Sequence, residues 1–237
     1  MLIENITMRQ FKDGLKKTKT VIVPYGTVEA HGTHLPLGTD TIIIREAVKK
    51  AAGKIDVFIA PPVHYGVCTS TSDHPGTIGI SPETVRRITS DIVGDLRKKG
   101  LRRFILISGH GGSIHVSAMK EAAEALTTEF RDITVAACSV YEILPKEARY
   151  IAETEGDSHA GEIETSLALY LSKGLVKGRA AKEFPKFVKP IIARDKMKLW
   201  PGAVWGDPNK ATVLKGKRFF DIMVKSIVEL AEKIEGF

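Results

Sequence analysis

Short runs of β-branched and aliphatic residues alternate along the chain with longer stretches whose apolar positions recur at helical spacing. Such alternation predicts a sheet with helices packed on both faces. Residues 20–24 read as a first strand, and a helix near 41–52 leads to a second strand at 57–60. Ser81, Pro82 and Glu83 make a strong helix start, with a cap, a preset first-turn angle and an early acid. That helix is expected to run to about Lys99, where Gly100 stops it, and 103–108 reads as a buried strand of the parallel type. The spacing of Val116, Met119, Ala123 and Leu126 predicts another helix, followed by a strand at 133–138. Further helices are expected at 161–171 and 215–234. Between them, 173–212 carries Pro185, Pro190, Pro201 and Pro208, which predicts loops around a site rather than a second domain. The expected fold class is α/β, as one domain spanning 1–237.

Composition narrows the function classes. No run of about 18 consecutive apolar residues occurs, and Met1 to Phe11 lacks the basic-then-apolar pattern of a signal peptide. A soluble, cytoplasmic protein with no membrane partner is therefore expected. The two cysteines, Cys68 and Cys138, are too few for a disulfide framework and are not spaced as a metal or redox pair, so they read as reduced, packed thiols. A net charge of +7 invites a nucleic-acid reading. The basic clusters, however, are short and dispersed, and Lys16-Lys17, Lys49-Lys50, Arg97-Lys98-Lys99 and Arg102-Arg103 each close or flank a predicted helix. Cations suit helix ends for electrostatic reasons, so no nucleic-acid partner is expected.

Three polar segments fall where predicted strands end, which is where open α/β sheets bind ligands. The first runs from Gly26 to Asp40. Within it Glu29 and His31, two residues apart in an extended stretch, point to the same side, and Asp40 at a helix entrance can aim a carboxylate back at them. Carboxylate mixed with imidazole suits zinc, manganese or iron. Taken singly, Glu29 reads as a surface acid, His31 or His34 as turn residues and Asp40 as a helix cap; as a set they favour ligation, with His34 left outside it. In the second segment, Ser108-Gly109-His110-Gly111-Gly112-Ser113, a phosphate-binding loop is the rival reading. The segment lacks both the nucleotide and the dinucleotide glycine patterns, and His110 reads as a metal ligand. The third segment, from Asp157 to Ser166, enters a helix whose face includes Glu164, Leu167, Ala168 and Leu171. A carboxylate on that apolar stripe needs a metal or a Lys or Arg partner, and the metal is favoured. Glu162 is expected to face solvent or to act as a favourable first-turn charge.

The order Glu29, His31, Asp40, then His110, then His159 with Glu164, resembles the creatininase family of metal-dependent amidohydrolases. The likeness extends to His74-Pro75-Gly76-Thr77, Gly206-Asp207-Pro208 and Ala211-Thr212. It implies a three-layer αβα sandwich with a mostly parallel central sheet, two divalent metal ions, and a homo-oligomer, commonly a hexamer. Carried across residue by residue, Glu29 and His31 ligate different ions, Asp40 bridges them, His110 completes one site, and Glu164 supplies the further carboxylate. Creatininase has a glutamate at the position of Gly112, and a tryptophan shortly before the histidine that matches His159 where this chain has Glu155-Gly156-Asp157-Ser158. Creatinine itself is therefore disfavoured as substrate.

The expected reaction is hydrolysis of a small-molecule amide, either a cyclic amide or a formamide, by a metal-activated hydroxide. His159 is the expected proton carrier to the departing nitrogen. Peptide processing within the same family is the alternative, and the non-catalytic rival is a phosphorylated-metabolite binding module built on Gly109 to Ser113. A nucleophile reading of Ser108, Ser113 or Cys68 is weak because none lies in a Gly-x-Ser-x-Gly elbow. The polar run Ser70 to His74 and the two tryptophans, Trp200 and Trp205, are expected to line the pocket or meet a neighbouring subunit, with ordinary packing an equal reading for the tryptophans.

Overall fold

A computed structural model describes residues 1–188 and 190–237 of the chain. In chain order the main elements are α1 (Met8–Gly14), β1 (Thr20–Tyr25), α2 (Thr39–Ala51), β2 (Phe58–Ile59), α3 (Pro82–Lys98) and β3 (Arg103–Ser108). They continue with α4 (Ser113–Glu129), β4 (Thr134–Ser139), α5 (Glu162–Ser172), α6 (Lys196–Leu199) and α7 (Val213–Glu235). The strands form one sheet in the order β2-β1-β3-β4, with every neighbouring pair parallel.

Side chains of a strand alternate between faces, and that alternation divides the core in two. Val21, Val23, Phe104 and Leu106 pack with Phe11 of α1 and with apolar residues of α3 and α4. On the other face, Ile22, Ile105 and Ile107 pack with α2, α5 and α7. The three-layer αβα sandwich is thus what forms. Each of the three isoleucines is 0% exposed, which contributes roughly 1.5–3 kcal/mol of transfer free energy per side chain. Both central strands read as near-continuous apolar runs because helices cover both of their faces.

Strand β3 has the expected bounds, while β1 runs on to Tyr25 and β2 shrinks to two residues. Helix α2 starts two residues earlier than the apolar spacing suggests, with Gly38 at its cap and Asp40 in its first turn. Helix α1 escapes a periodicity reading because it is only seven residues long; a capping box between Thr7 and Gln10 starts it. The stretch 173–212 is largely irregular, with α6 and short 3-10 turns at Lys173–Leu175 and Pro208–Lys210. No helix among the described residues is long and apolar enough to cross a membrane.

The topology fixes where a site can form. From β1 the chain passes through α2 to pair β2 on one side, then through α3 to pair β3 on the other. The connections leaving β1 and β3 therefore diverge, and a crevice opens at their carboxyl ends.

Candidate metal centre

Beyond Tyr25 the chain curls over the end of the sheet before α2 begins, which sets Glu29 and His31 above β1. Asp40 follows in the first turn of α2, where a carboxylate is favoured by the free N–H groups of the helix start. Beyond Ser108, Gly109 lets the next loop run against α2, since a Cβ at that position would collide with the Asp40 carbonyl oxygen. This close approach carries His110 to the carboxylates of Glu29 and Asp40.

Each of the two imidazoles is tied from behind. His31 Nδ1–H donates to the Glu29 carbonyl oxygen at 2.9 Å, and His110 Nε2–H donates to the Val67 carbonyl oxygen at 3.2 Å. These bonds fix the tautomers and turn the remaining lone pairs inward. His31 Nε2 then faces Asp40 Oδ1 at 3.2 Å and Glu164 Oε2 at 3.6 Å. His110 Nδ1 faces Glu29 Oε2 at 2.9 Å and Asp40 Oδ2 at 3.2 Å. Asp40 thus offers one oxygen to each imidazole. Glu29 Oε2 is buried and receives no hydrogen-bond donor among the described residues.

Lone pairs directed at lone pairs in a buried site need positive charge between them. The proton affinities say the same. Burial pushes both imidazoles down, yet the carboxylates outweigh it, led by Asp40 for His31 and by Glu29 for His110. They hold His31 up at about 10 and His110 well above its ordinary value. Burial pushes Glu29 and Asp40 up, and the imidazoles reverse it, holding Glu29 at about 2 and Asp40 well below the carboxylate range. The residues fit divalent cations: Asp40 can be shared between two of them, with His31 and Glu164 on one side and Glu29 and His110 on the other.

Neighbouring hydroxyl and amide groups hold the carboxylates in place. The Thr27 hydroxyl donates to Asp40 Oδ2, and the Thr71 hydroxyl donates to Glu29 Oε1 at 2.5 Å. Glu164 accepts from the Tyr141 hydroxyl at 3.1 Å and from the Ala160 N–H at 2.6 Å. No Lys or Arg among the described residues pairs with Glu164, so the ion-pair alternative for it does not form. Sequence reasoning placed Thr71 only within a pocket-lining run and missed Thr27 and Tyr141. Tyr141 lies just past the carboxyl end of β4, so the strand-end rule that marks the other segments would have found it.

His159 adjoins the cluster. Its Nε2–H donates to the Ala30 carbonyl oxygen at 2.7 Å, its ring lies 4.2 Å from that of His31, and the Trp200 ring meets it edge-on at 5.2 Å. Burial, then the His31 charge, lower its pKa, and with Nε2 on the Ala30 carbonyl the other ring nitrogen, Nδ1, is left uncommitted. His34 stays outside the cluster, bonded through Nε2 to the Thr165 hydroxyl at 2.8 Å. Ser108 is spent on structure, its Oγ accepting the His110 N–H at 3.0 Å. Trp200 is buried with its indole N–H on the Val204 carbonyl at 2.6 Å, and it lines the cavity together with Ser70 and Trp205.

Glu162 requires a correction. It is a first-turn acid of α5, as one of the two readings expected, but the solvent-facing reading fails because it is 0% exposed. It accepts from the backbone N–H groups of Glu153 and Thr154, the Thr154 hydroxyl and the Lys215 ammonium. The first two turns of α5 are buried on every side, so apolar periodicity assigned that helix a solvent face it does not have.

A cavity of about 1090 Å³ opens onto Glu29, Asp40 and His110 and extends past Tyr141 to Arg149. With this geometry in hand, likeness to known proteins is informative. The family model described as Creatininase: Creatinine amidohydrolase matches residues 4–231. The chain belongs to the creatininase family. The mycofactocin precursor peptide peptidase of Mycobacterium ulcerans (strain Agy99) is 31% identical over 227 residues, covering 88% of this chain and 83% of the relative. A crystal structure of creatinine amidohydrolase (creatininase) superimposes with a TM-score of 0.89 at 21% identity, covering 98% of this chain and 96% of that one. A mutant creatininase of Zn-Zn type gives a TM-score of 0.88 at 21% identity, with 98% and 97% covered. As a creatininase-family member the chain is a metal-dependent hydrolase of amide C–N bonds.

Proposed function

We propose that Glu29, His110 and Asp40 hold one divalent cation, that His31, Asp40 and Glu164 hold a second, and that the pair hydrolyses an amide bond in a peptide-sized substrate. The inward-facing imidazoles carry the metal assignment: each has one nitrogen committed to a backbone carbonyl and the other directed at carboxylate oxygen. Zinc, manganese and iron suit these donors, and the Zn-Zn type of the solved relative supports zinc. When bound, such ions lower the pKa of a coordinated water and polarise a carbonyl.

The chain's own residues supply the remainder. Thr27, Thr71 and Tyr141 keep the carboxylates from rotating. His159, anchored to Ala30 and backed by Trp200, accepts a proton at Nδ1 and passes it to the departing nitrogen. Cavity size is what favours a peptide over a small ring. At about 1090 Å³ it lies just above the roughly 300–1,000 Å³ usual for small-molecule sites. The Mycobacterium ulcerans relative, named for a precursor peptide, supports the same reading. The small cyclic amide or formamide belongs to the same reaction class and is the comparison substrate. A homo-oligomer, up to a hexamer, is also proposed, supported by Tyr150, Ile191 and Ile192 at 81%, 70% and 90% exposure.

Metal analysis with a substrate panel tests the assignment. Two ions per chain, loss of peptide hydrolysis on chelation and its return with zinc or manganese are expected. Hydrolysis that survives complete chelation would overturn the metal reading, and faster turnover of cyclic amides than of any peptide would overturn the substrate. A monomer in sedimentation would end the oligomer reading.

A further inference from the structure

The loop after β2 touches the donor cluster at three points within five residues. Val67 supplies the carbonyl behind His110, and Thr71 supplies the hydroxyl on Glu29. Cys68 lies between them, 4% exposed. Its Sγ, a ring nitrogen of His110 and a carboxylate oxygen of Glu29 all lie within 4.8 Å of one another. The contact of the thiol with the Gly66 carbonyl is long, at 3.9 Å, while Glu29 Oε2 is buried without a donor. Zinc bonds of about 2.0–2.3 Å to nitrogen, oxygen and sulfur in a tetrahedron separate the donor atoms by roughly 3–4 Å. A sulfur, a nitrogen and a carboxylate oxygen within 4.8 Å of one another are close enough to converge on one ion.

Gly112 points the same way. A Cβ at that position would collide with the His110 ring, so no side chain there can add a donor without displacing the imidazole. A further protein donor to this ion therefore comes from elsewhere, and the β2 loop already brings the Val67 carbonyl to His110 and the Thr71 hydroxyl to Glu29. Cys138 gives an internal contrast: it is equally buried, but it belongs to the apolar core and joins no donor cluster among the described residues.

We propose that Cys68 contributes a thiolate to the cation held by Glu29, His110 and Asp40, and that this sulfur biases that position toward zinc over manganese. The inference rests on the two-cation reading above. The Sγ–H bond breaks, the proton leaves to buffer, the Sγ–metal bond forms, and nothing is oxidised or reduced. Coordination requires the thiolate, so binding of the cation displaces the thiol proton. The other position, with His31, Asp40 and Glu164, offers only nitrogen and oxygen and keeps its tolerance for manganese.

The test uses the full chain with its ions exchanged for Co²⁺, because thiolate ligation produces a near-ultraviolet charge-transfer band that nitrogen and oxygen donors do not. Wild type and Cys138→Ala should show the band. Cys68→Ser should lose it while binding cobalt, and its zinc affinity at one position should weaken by more than about tenfold with manganese affinity unchanged. Alkylation of Cys68 should also slow when zinc is added to wild type. Cobalt-loaded wild type without the band overturns the Cys68 assignment alone, and it decides the matter even where the serine variant does not fold. Wild type that takes up no more metal than Asp40→Ala overturns the two-cation reading instead.

Discussion

In the His31 half of the donor cluster a loop imidazole meets a helix carboxylate, whereas both side chains of the His110 half come from loops. His31 is 0% exposed and meets Glu164 from α5, whose two carboxylate oxygens are both occupied by the Tyr141 hydroxyl and the Ala160 N–H. His110 and Glu29 come from loops beyond strand ends and leave Glu29 Oε2 without a donor among the described residues, and Glu164 lines the same cavity as they do. A half whose carboxylate is fully bonded suits an ion that is held, and a half with an unsaturated carboxylate suits an ion that meets substrate. Asp40 is the one residue common to both.

Removing Asp40 should therefore break the comparison altogether. Asp40→Ala is expected to lose both ions and about 10⁴-fold or more in amide hydrolysis, read by metal analysis alongside turnover. One ion retained would show that the halves are independent. His159→Ala should reduce kcat by about 10²–10⁴-fold at unchanged metal content if the residue acts as the proposed proton carrier. Full kcat in that variant would reject the proton-carrier role.

Smaller lesions should separate the halves. Thr71→Val should weaken one ion by roughly 10–100-fold, and Tyr141→Phe should do so to the other, as measured by competition with a chelating indicator. Both substitutions acting on the same ion would erase the distinction. The smallest effect concerns His115, which packs behind His110 at 5.4 Å between ring centroids. Burial, then the His110 charge, lower it to about 4. A histidine depressed in the fold contributes stability that is complete above the unfolded value near 6.5 and is lost as pH falls toward 4. Urea unfolding should show up to roughly 3 kcal/mol lost across that window, and His115→Gln should flatten the slope.

What the sequence discloses, and what it withholds, follows from distance along the chain. Strand β3 is legible to the residue because Gly100 stops one element and a polar segment ends the next. Glu29, His31, Asp40, His110 and Glu164 are legible because chemistry-bearing side chains gather where parallel strands end, and the structure brings all five together. Glu162 is misread because helical periodicity assumes a wet face, and α5 starts without one. Cys68 is silent in sequence: no spacing connects it to Glu29 or His110, and only the passage of the β2 loop beneath the end of β1 brings sulfur to them. The orienting role of the threonines is hidden for the same reason.

The ladder joining β1 to β3 also sets a timetable. It runs in parallel from Thr20 with Arg103 to Tyr25 with Ser108, and α2, β2 and α3 must be threaded before it can close. Such long-range pairing is slow, and Glu29 and Asp40 do not meet His110 until it is complete. Ion capture is thus a late act of folding: added zinc should leave the refolding rate unmoved and retard unfolding, raising thermal resistance through the native state alone.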